Sequence, residues 1–120
     1  MKKIIVILFI ILSAASIAIA GGQKQRAEEK KVLYYMSPML LDEFQSGTRL
    51  MVEKFGKEQG FEVRSLNADN KAQLQNDQMD DAIAQKPSAI ILNAVDASTI
   101  TASVNKARNA GIPVLVYDRF

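Results

Sequence analysis

The chain of 120 residues is long enough for one small domain. It contains no cysteine and no histidine, which excludes a disulfide framework and the commonest zinc sites. Its formal net charge of +2 is carried by Lys2 and Lys3, and the remainder of the chain has equal numbers of basic and acidic residues. A nucleic-acid partner, which would need a clustered basic face, is therefore not expected.

The first 20 residues have the form of a secretory signal peptide. Two lysines precede an apolar run over residues 4–20, which ends in Ala18-Ile19-Ala20, where the two alanines are the small residues that a signal peptidase needs. An uncleaved membrane anchor is the alternative, but the run is at or just below the lower limit of about 17 to 25 residues for a span. We therefore predict cleavage, export to the periplasm or the exterior, and a flexible lead-in over residues 21–30.

Four short apolar runs predict β-strands in the rest of the chain. The run at 61–66 alternates apolar with polar residues and indicates an edge strand with one wetter face. The run at 88–92 is continuously apolar, which is typical of a central parallel strand buried on both faces. The remaining two runs lie at 31–36 and 114–117.

Three segments with helical spacing separate these strands. They cover 43–59, 71–85 and a stretch that Ser98 can cap and that ends before Gly111. Strict alternation of strand and helix predicts an α/β fold, a β-α-β-α-β-α-β parallel sheet with helices on both faces. The residues expected to face inward are Phe44, Leu50, Met51, Val52 and Phe55, then Leu74, Met79, Ala82 and Ile83, then Ile100, Val104, Ala107 and Ala110.

Each predicted strand is followed by hydrogen-bonding side chains. Because parallel strands share one carboxyl edge, these side chains are expected on a common rim, where open α/β sheets hold ligands. Hydroxyl, amide, carboxylate and guanidinium groups beside an aromatic ring suit a neutral, hydroxyl-rich ligand. The rim residues are Ser37, Asp42, Glu43 and Phe44, then Asn67 and Asp69, then Asn93 and Asp96, and last Asp118 and Arg119.

Purely structural roles are the alternative for several rim residues. Phe44 could equally pack in the core or stack on a ligand. Asp118 and Arg119 could form a surface ion pair, which is worth little, but their place directly after a buried strand favours a binding role. Turn and helix-cap roles are more typical of Asn67, Asp69 and Asp96.

Enzyme chemistry is poorly supported by the sequence. Neither histidine nor cysteine is available as a base or nucleophile, and no glycine-rich phosphate-binding stretch follows any strand. Asp42 and Glu43 are adjacent at a helix start, so their carboxylates do not converge on one point. We therefore expect no enzyme activity, no cofactor and no metal.

Three stretches resemble the sugar-binding type I periplasmic binding proteins, specifically the ribose-binding group. They are the run at 89–96, which reads AIILNAVD, the run at 110–119, which reads AGIPVLVYDR, and the helix at 78–87. The resemblance covers residues 31–120. It implies an exported two-lobed receptor, which closes on a monosaccharide and delivers it to the membrane permease of an ABC transporter.

The resemblance also assigns roles to individual residues. Asp118 and Arg119 match the family's sugar-hydroxyl pair, and Asn93 matches its amide after the third strand. Phe44 falls where the family places a stacking aromatic in an Asn-Pro-Phe-Phe type stretch, but here the stretch reads Asp42-Glu43-Phe44-Gln45. Asp42 replaces an amide and the second aromatic is lost. Ser37, after the first strand, completes the set of candidates.

The length departs from the family, whose members have two lobes. The resemblance therefore implies an incomplete first lobe that binds sugar weakly or not at all, whether as a truncated reading frame, a fragment or half of a split receptor. A bare edge on the fourth strand also predicts self-association. Two other functions stay open at this point: a periplasmic sensing module that feeds a chemoreceptor or sensor kinase, and a small α/β enzyme.

Overall fold

The computed structural model describes residues 30–118, in which strands and helices alternate as the sequence predicts. None of the helices in this range combines the length and apolarity needed to cross a membrane. The predicted signal peptide, most of the lead-in, Arg119 and Phe120 lie outside the described residues. The elements are β1 (Lys31–Ser37), α1 (Glu43–Glu58), β2 (Phe61–Asn67), α2 (Ala72–Ala84), β3 (Ala89–Leu92), α3 (Ala97–Asn109) and β4 (Val114–Val116).

The four strands form one parallel sheet in the order β2-β1-β3-β4. The strand β2 lies at an edge and β3 lies inside the sheet, as predicted. In the register, Met36 of β1 pairs with Leu92 of β3, and Leu92 pairs with Val116 of β4. The carboxyl ends of β1, β3 and β4 therefore lie side by side, so the residues that follow them are neighbours.

The helices α2 and α3 cover one face of the sheet and enclose the main core. Met79 and Ile90 are both fully buried, and Tyr34 and Met36 point from β1 into the same cluster. Burial of each large apolar side chain contributes about 1.5–3 kcal/mol, so this face supplies most of the packing energy. The inward positions predicted for α2 and α3 are confirmed at Met79, Ala82, Ile83, Ile100 and Ala107, and Val104 is half-buried against the same cluster. The inward positions predicted for Leu74 and Ala110 are wrong, because both residues are exposed.

The helix α1 covers the opposite face, but only over β1 and β2. Its contact side is formed by a glycine: a Cβ atom at Gly56 would lie 2.5 Å from Val63 Cγ2. The absence of a side chain lets the helix approach the strands closely. Gln45 is the other buried residue of α1.

The inward position predicted for the apolar stripe of α1 is wrong. Phe44, Leu50, Met51 and Phe55 are 53–61% exposed, because α1 turns Gly56 and Gln45 toward the strands and holds the stripe to one side. Part of the stripe borders an open groove of about 460 Å³, lined by Met51, Val52, Phe55, Leu33 and Ile91 among others. No described element covers the α1 side of β3 and β4, where Leu115 is 62% exposed.

The residue predicted to cap α3 is also wrong. Asp96, not Ser98, caps this helix, and its Oδ1 accepts from Thr99 N at 2.8 Å. Ser98 lies in the first turn and donates to the same oxygen at 2.6 Å. These hydrogen bonds lower the pKa of Asp96 below its usual value.

Candidate binding site at the carboxyl edge of the sheet

Two of the predicted rim residues meet at the ends of β3 and β4. Asn93 follows β3 directly and Asp118 lies two residues after β4, so the parallel register brings them together. Asn93 Nδ2 donates to Asp118 Oδ2 at 2.9 Å. Asp118 is exposed and has a φ of +65°, an unusual backbone conformation for a residue with a side chain. The pair confirms that the two strands deliver their polar residues to one place.

The side-chain carbonyl of Asn93 is unsatisfied within the described range. Asn93 has 0% exposure, and its Oδ1 accepts no hydrogen bond from residues 30–118. A buried acceptor without a donor costs about 1–3 kcal/mol, and such groups in folded proteins call for an explanation. The site therefore combines an orphan acceptor, held in place through the amide nitrogen of the same side chain, with an exposed carboxylate beside it.

A hydrogen-bonded tyrosine pair lies on the α1 face, next to this rim. The hydroxyls of Tyr35 and Tyr117 are 2.7 Å apart, and their ring centroids are 6.4 Å apart. Gln45 Oε1 lies 3.3 Å from each hydroxyl and joins the start of α1 to the ends of β1 and β4. Burial, followed by the hydrogen bond with Tyr117, raises the pKa of Tyr35 above its usual value, so its hydroxyl stays neutral and serves the network as donor and acceptor.

The remaining predicted site residues have different surroundings. Ser37 is fully buried, and its Oγ donates to Met39 O at 2.8 Å and lies 3.1 Å from Gln45 Oε1. Asp42 caps α1 by accepting from Gln45 N at 2.6 Å. Phe44 is 61% exposed in the first turn of α1 and is not part of the core that residues 30–118 form. Arg119 lies outside the described residues.

Turn and cap roles are confirmed for the other rim residues. Asn67 Oδ1 accepts from Asp69 N at 3.1 Å, and Asp69 has a φ of +52° and an ion pair with Lys71 at 2.9 Å. Asp96 caps α3, as described above. None of these carboxylates joins Asp118, and residues 30–118 contain no group of three or more potential metal ligands arranged around one point.

Gln75 is a residue that the sequence patterns do not identify. It lies on α2 with 1% exposure. Its amide nitrogen donates to Asn93 O at 2.9 Å, and its carbonyl oxygen accepts from Val95 N at 2.8 Å. A glutamine in a helix normally indicates a solvent-exposed face, so helical periodicity carries no signal for this contact.

Residues 33–120 match the model of a family described as the periplasmic binding protein domain. The chain belongs to this family, which confirms the predicted resemblance. Among curated relatives, the ribose import binding protein RbsB of Bacillus subtilis (strain 168) is 34% identical over 68 residues. That alignment covers 57% of this chain and 22% of the relative.

Solved structures support the same assignment. An ABC transporter solute-binding protein from Agrobacterium vitis, with bound allitol, has a TM-score of 0.70 and 27% identity over 75% of this chain and 31% of that chain. One from Bacillus halodurans C-125, with bound myo-inositol, has a TM-score of 0.68 and 30% identity over 76% of this chain and 32% of that chain. The chain thus spans between about a fifth and a third of these relatives. The family is one of solute-binding transport proteins and implies a periplasmic or extracellular location.

Proposed function

We propose that the chain is the substrate-binding component of an ABC-type sugar importer and that it holds a monosaccharide or related polyol at the carboxyl edge of its sheet. The observation that carries the proposal is the Asn93–Asp118 pair, in which a buried orphan acceptor and an exposed carboxylate lie side by side. Both groups accept hydrogen bonds, and the hydroxyls of a sugar can donate them.

Each site residue has a distinct task in this proposal. Asp118 accepts from ligand hydroxyls through its exposed carboxylate, and Asn93 Oδ1 accepts from another hydroxyl once the ligand or a small shift of the rim opens access to it. Phe44 covers the apolar face of the sugar ring, since its own ring is exposed in the first turn of α1. Arg119, next in sequence to Asp118, donates to ring or hydroxyl oxygens.

Two further candidates act less directly. Asp42 already accepts a hydrogen bond from Gln45 N, so only its remaining lone pairs are available to a ligand. Ser37 is buried and bonded internally, and a ligand contact would require it to give up the bond to Met39 O. We therefore place both residues at the margin of the proposed site.

The relatives support a polyol as the ligand class. The Agrobacterium vitis protein holds allitol, the Bacillus halodurans protein holds myo-inositol, and the Bacillus subtilis relative is a ribose import binding protein. All three compounds are neutral and rich in hydroxyls. In this proposal a cleavable signal peptide exports the chain, and a membrane permease of an ABC transporter receives the ligand.

The described rim contacts only one side of a ligand, which limits the expected affinity. Closed sites bury most of a ligand's surface, and residues 30–118 offer no opposing wall. We expect the 120-residue chain to bind ribose, allitol and myo-inositol weakly or not at all in calorimetric titrations. A micromolar dissociation constant would contradict this expectation and show that the rim suffices.

The test of the site itself is a titration followed by amide chemical shifts, which detects weak binding. Increasing concentrations of each polyol should move the signals of Asn93 and Asp118 in a saturable way, and Asp118→Asn should abolish the effect. Asp81→Asn is a matched control, because Asp81 is an exposed carboxylate on α2. Equal responses in the two variants would refute the proposed role of Asp118.

A further inference from the structure

We infer that Gln75 is a positioning residue, which fixes the loop after β3 so that the Asn93 side chain meets Asp118 and presents Oδ1 to a ligand. The presentation of Oδ1 to a ligand rests on the proposed function, whereas the positioning of Asn93 by Gln75 does not depend on it. Gln75 belongs to α2 and reaches the loop between β3 and α3 across the main core of the protein.

The two hydrogen bonds of Gln75 form a clamp around a single residue, Ala94. The donor end meets the backbone carbonyl of Asn93 at 2.9 Å, and the acceptor end meets the backbone N–H of Val95 at 2.8 Å. A primary amide is the side chain that can supply both a donor and an acceptor at this spacing. Ala94 itself is fully buried, so the clamp closes over a packed segment of backbone.

The backbone of Asn93 is therefore held from two directions. Its N–H donates to Met36 O at 2.9 Å, which continues the pairing with β1, and its carbonyl is held by Gln75. From this fixed backbone the side chain reaches the end of β4, where Nδ2 donates to Asp118 Oδ2 at 2.9 Å. The orientation of the orphan Oδ1 follows from that bond.

The burial of Gln75 argues that the clamp has a purpose beyond packing. A polar side chain with 1% exposure loses its hydration and also loses rotamer freedom. Leu or Met would fill the same volume without that cost but would leave the Asn93 carbonyl and the Val95 N–H without this partner, whereas the amide satisfies both groups and specifies the loop conformation. The amide of Gln75 is satisfied at both ends, and satisfied buried hydrogen bonds rigidify the segment that they hold.

The test compares Gln75→Met, which keeps the volume of the side chain, with Gln73→Met, an exposed glutamine on the same helix. Without any ligand, we expect Gln75→Met to increase the hydrogen-exchange rate of the Asn93 side-chain amide at least about fivefold. The reason is that the loop no longer keeps Asn93 Nδ2 within hydrogen-bonding distance of Asp118. Gln73→Met should leave that rate unchanged. Gln75→Asn, which keeps the amide but shortens its reach by one methylene, should resemble Gln75→Met.

The variants must also be folded for the comparison to count. Slow exchange of the backbone amides of Tyr35 and Met36 in β1 reports the intact sheet, and Ile83→Val serves as a conservative variant of the main core that leaves the two Gln75 hydrogen bonds in place. If Asn93 amide exchange is unchanged in a folded Gln75→Met, or if Ile83→Val raises it as much, Gln75 does not position Asn93. If Gln75→Met loses the slow exchange of the β1 amides, the Asn93 exchange rate is compared in Gln75→Asn instead, and that comparison decides whether Gln75 positions Asn93.

Polyol titration then links the clamp to binding. If the loop adopts its binding conformation only a fifth of the time, the apparent dissociation constant rises about fivefold. We expect that change in Gln75→Met and not in Gln73→Met, and equal constants in both would overturn the link to binding. If the signals of Asn93 and Asp118 in the unmodified chain show no saturable shift even at high polyol concentration, the proposed function alone is refuted, because the exchange rate measured without ligand still decides whether Gln75 positions Asn93.

Discussion

The hydroxyl of Tyr35 joins two strands and a helix through one buried contact, and its chemistry has a measurable consequence. It lies 2.7 Å from the hydroxyl of Tyr117 and 3.3 Å from Gln45 Oε1. Burial and the hydrogen bond with Tyr117 raise its pKa above the usual value. The folded chain therefore keeps this proton at a pH at which the unfolded chain has released it.

The sign of the resulting pH dependence is fixed by linkage. Below about pH 10 both states are protonated, whereas above it the unfolded state loses a proton and is favoured, so stability falls as the pH rises. One such group contributes at most about 1.4 kcal/mol per pH unit. We expect the unfolding free energy of Tyr35→Phe to fall less steeply above pH 10 than that of the unmodified chain, measured by urea denaturation.

Tyr34→Phe is the matched control for this measurement, because Tyr34 is buried on the opposite face and its hydroxyl bonds to Arg64 instead. At neutral pH, Tyr35→Phe should cost about 1 kcal/mol through the lost hydrogen bonds. Identical alkaline slopes in the unmodified chain and in Tyr35→Phe would contradict the assignment of a raised pKa to this hydroxyl.

At the scale of elements, the helix α1 contains two glycines with different surroundings. Substituting each of them distinguishes the effect of close packing on stability from the effect of helix propensity. A Cβ atom at Gly56 would lie 2.5 Å from Val63 Cγ2, whereas one at Gly47 would meet nothing within 4 Å. Alanine is favoured over glycine in a helix by about 0.8–1 kcal/mol. Overpacking typically costs about 1–3 kcal/mol, and the β-branched Val63 has little freedom to move aside.

We therefore expect Gly47→Ala to stabilise the chain and Gly56→Ala to destabilise it by about 1 kcal/mol or more. Urea denaturation of the two variants measures both effects on one helix, so differences in expression or overall charge do not enter. A stabilised Gly56→Ala would mean that α1 stands further from β2 than described.

The elements also show which sequence patterns predict structure well. The ends of parallel strands placed Asn93 and Asp118 together correctly, because strand direction alone determines that edge. The sequence periodicity identified the apolar stripe of α1 correctly, but the prediction that this stripe faces inward was wrong. Periodicity identifies an apolar face of a helix and not the element that covers it. Gln75 and Gln45 escaped the patterns because both are polar residues buried by tertiary contacts.

On the scale of the whole molecule, the groove beside α1 has a predictable effect on association. Within residues 30–118, β4 pairs only with β3, and Phe55, Met51 and Leu115 are more than half exposed around the uncovered face. Exposed strand edges and apolar patches favour contacts with a second copy of the same chain.

We expect sedimentation velocity to show concentration-dependent self-association of the isolated chain. Leu115→Lys should weaken it, because the substitution places a charge in the patch and on the edge strand. Thr101→Lys, at an exposed position on the opposite side of the sheet, adds the same charge as a control. A stable monomer at every concentration would contradict the prediction.

In the proposed site, Asn93 and Asp118 together hold the hydroxyls of a polyol at the carboxyl edge of the sheet. The most direct measurement is a crystal structure of the chain grown with allitol or myo-inositol at high concentration. We expect ligand hydroxyls within about 3 Å of an Asp118 carboxylate oxygen and of Asn93 Oδ1. A polyol bound elsewhere, with the Asn93–Asp118 pair untouched, would contradict the account.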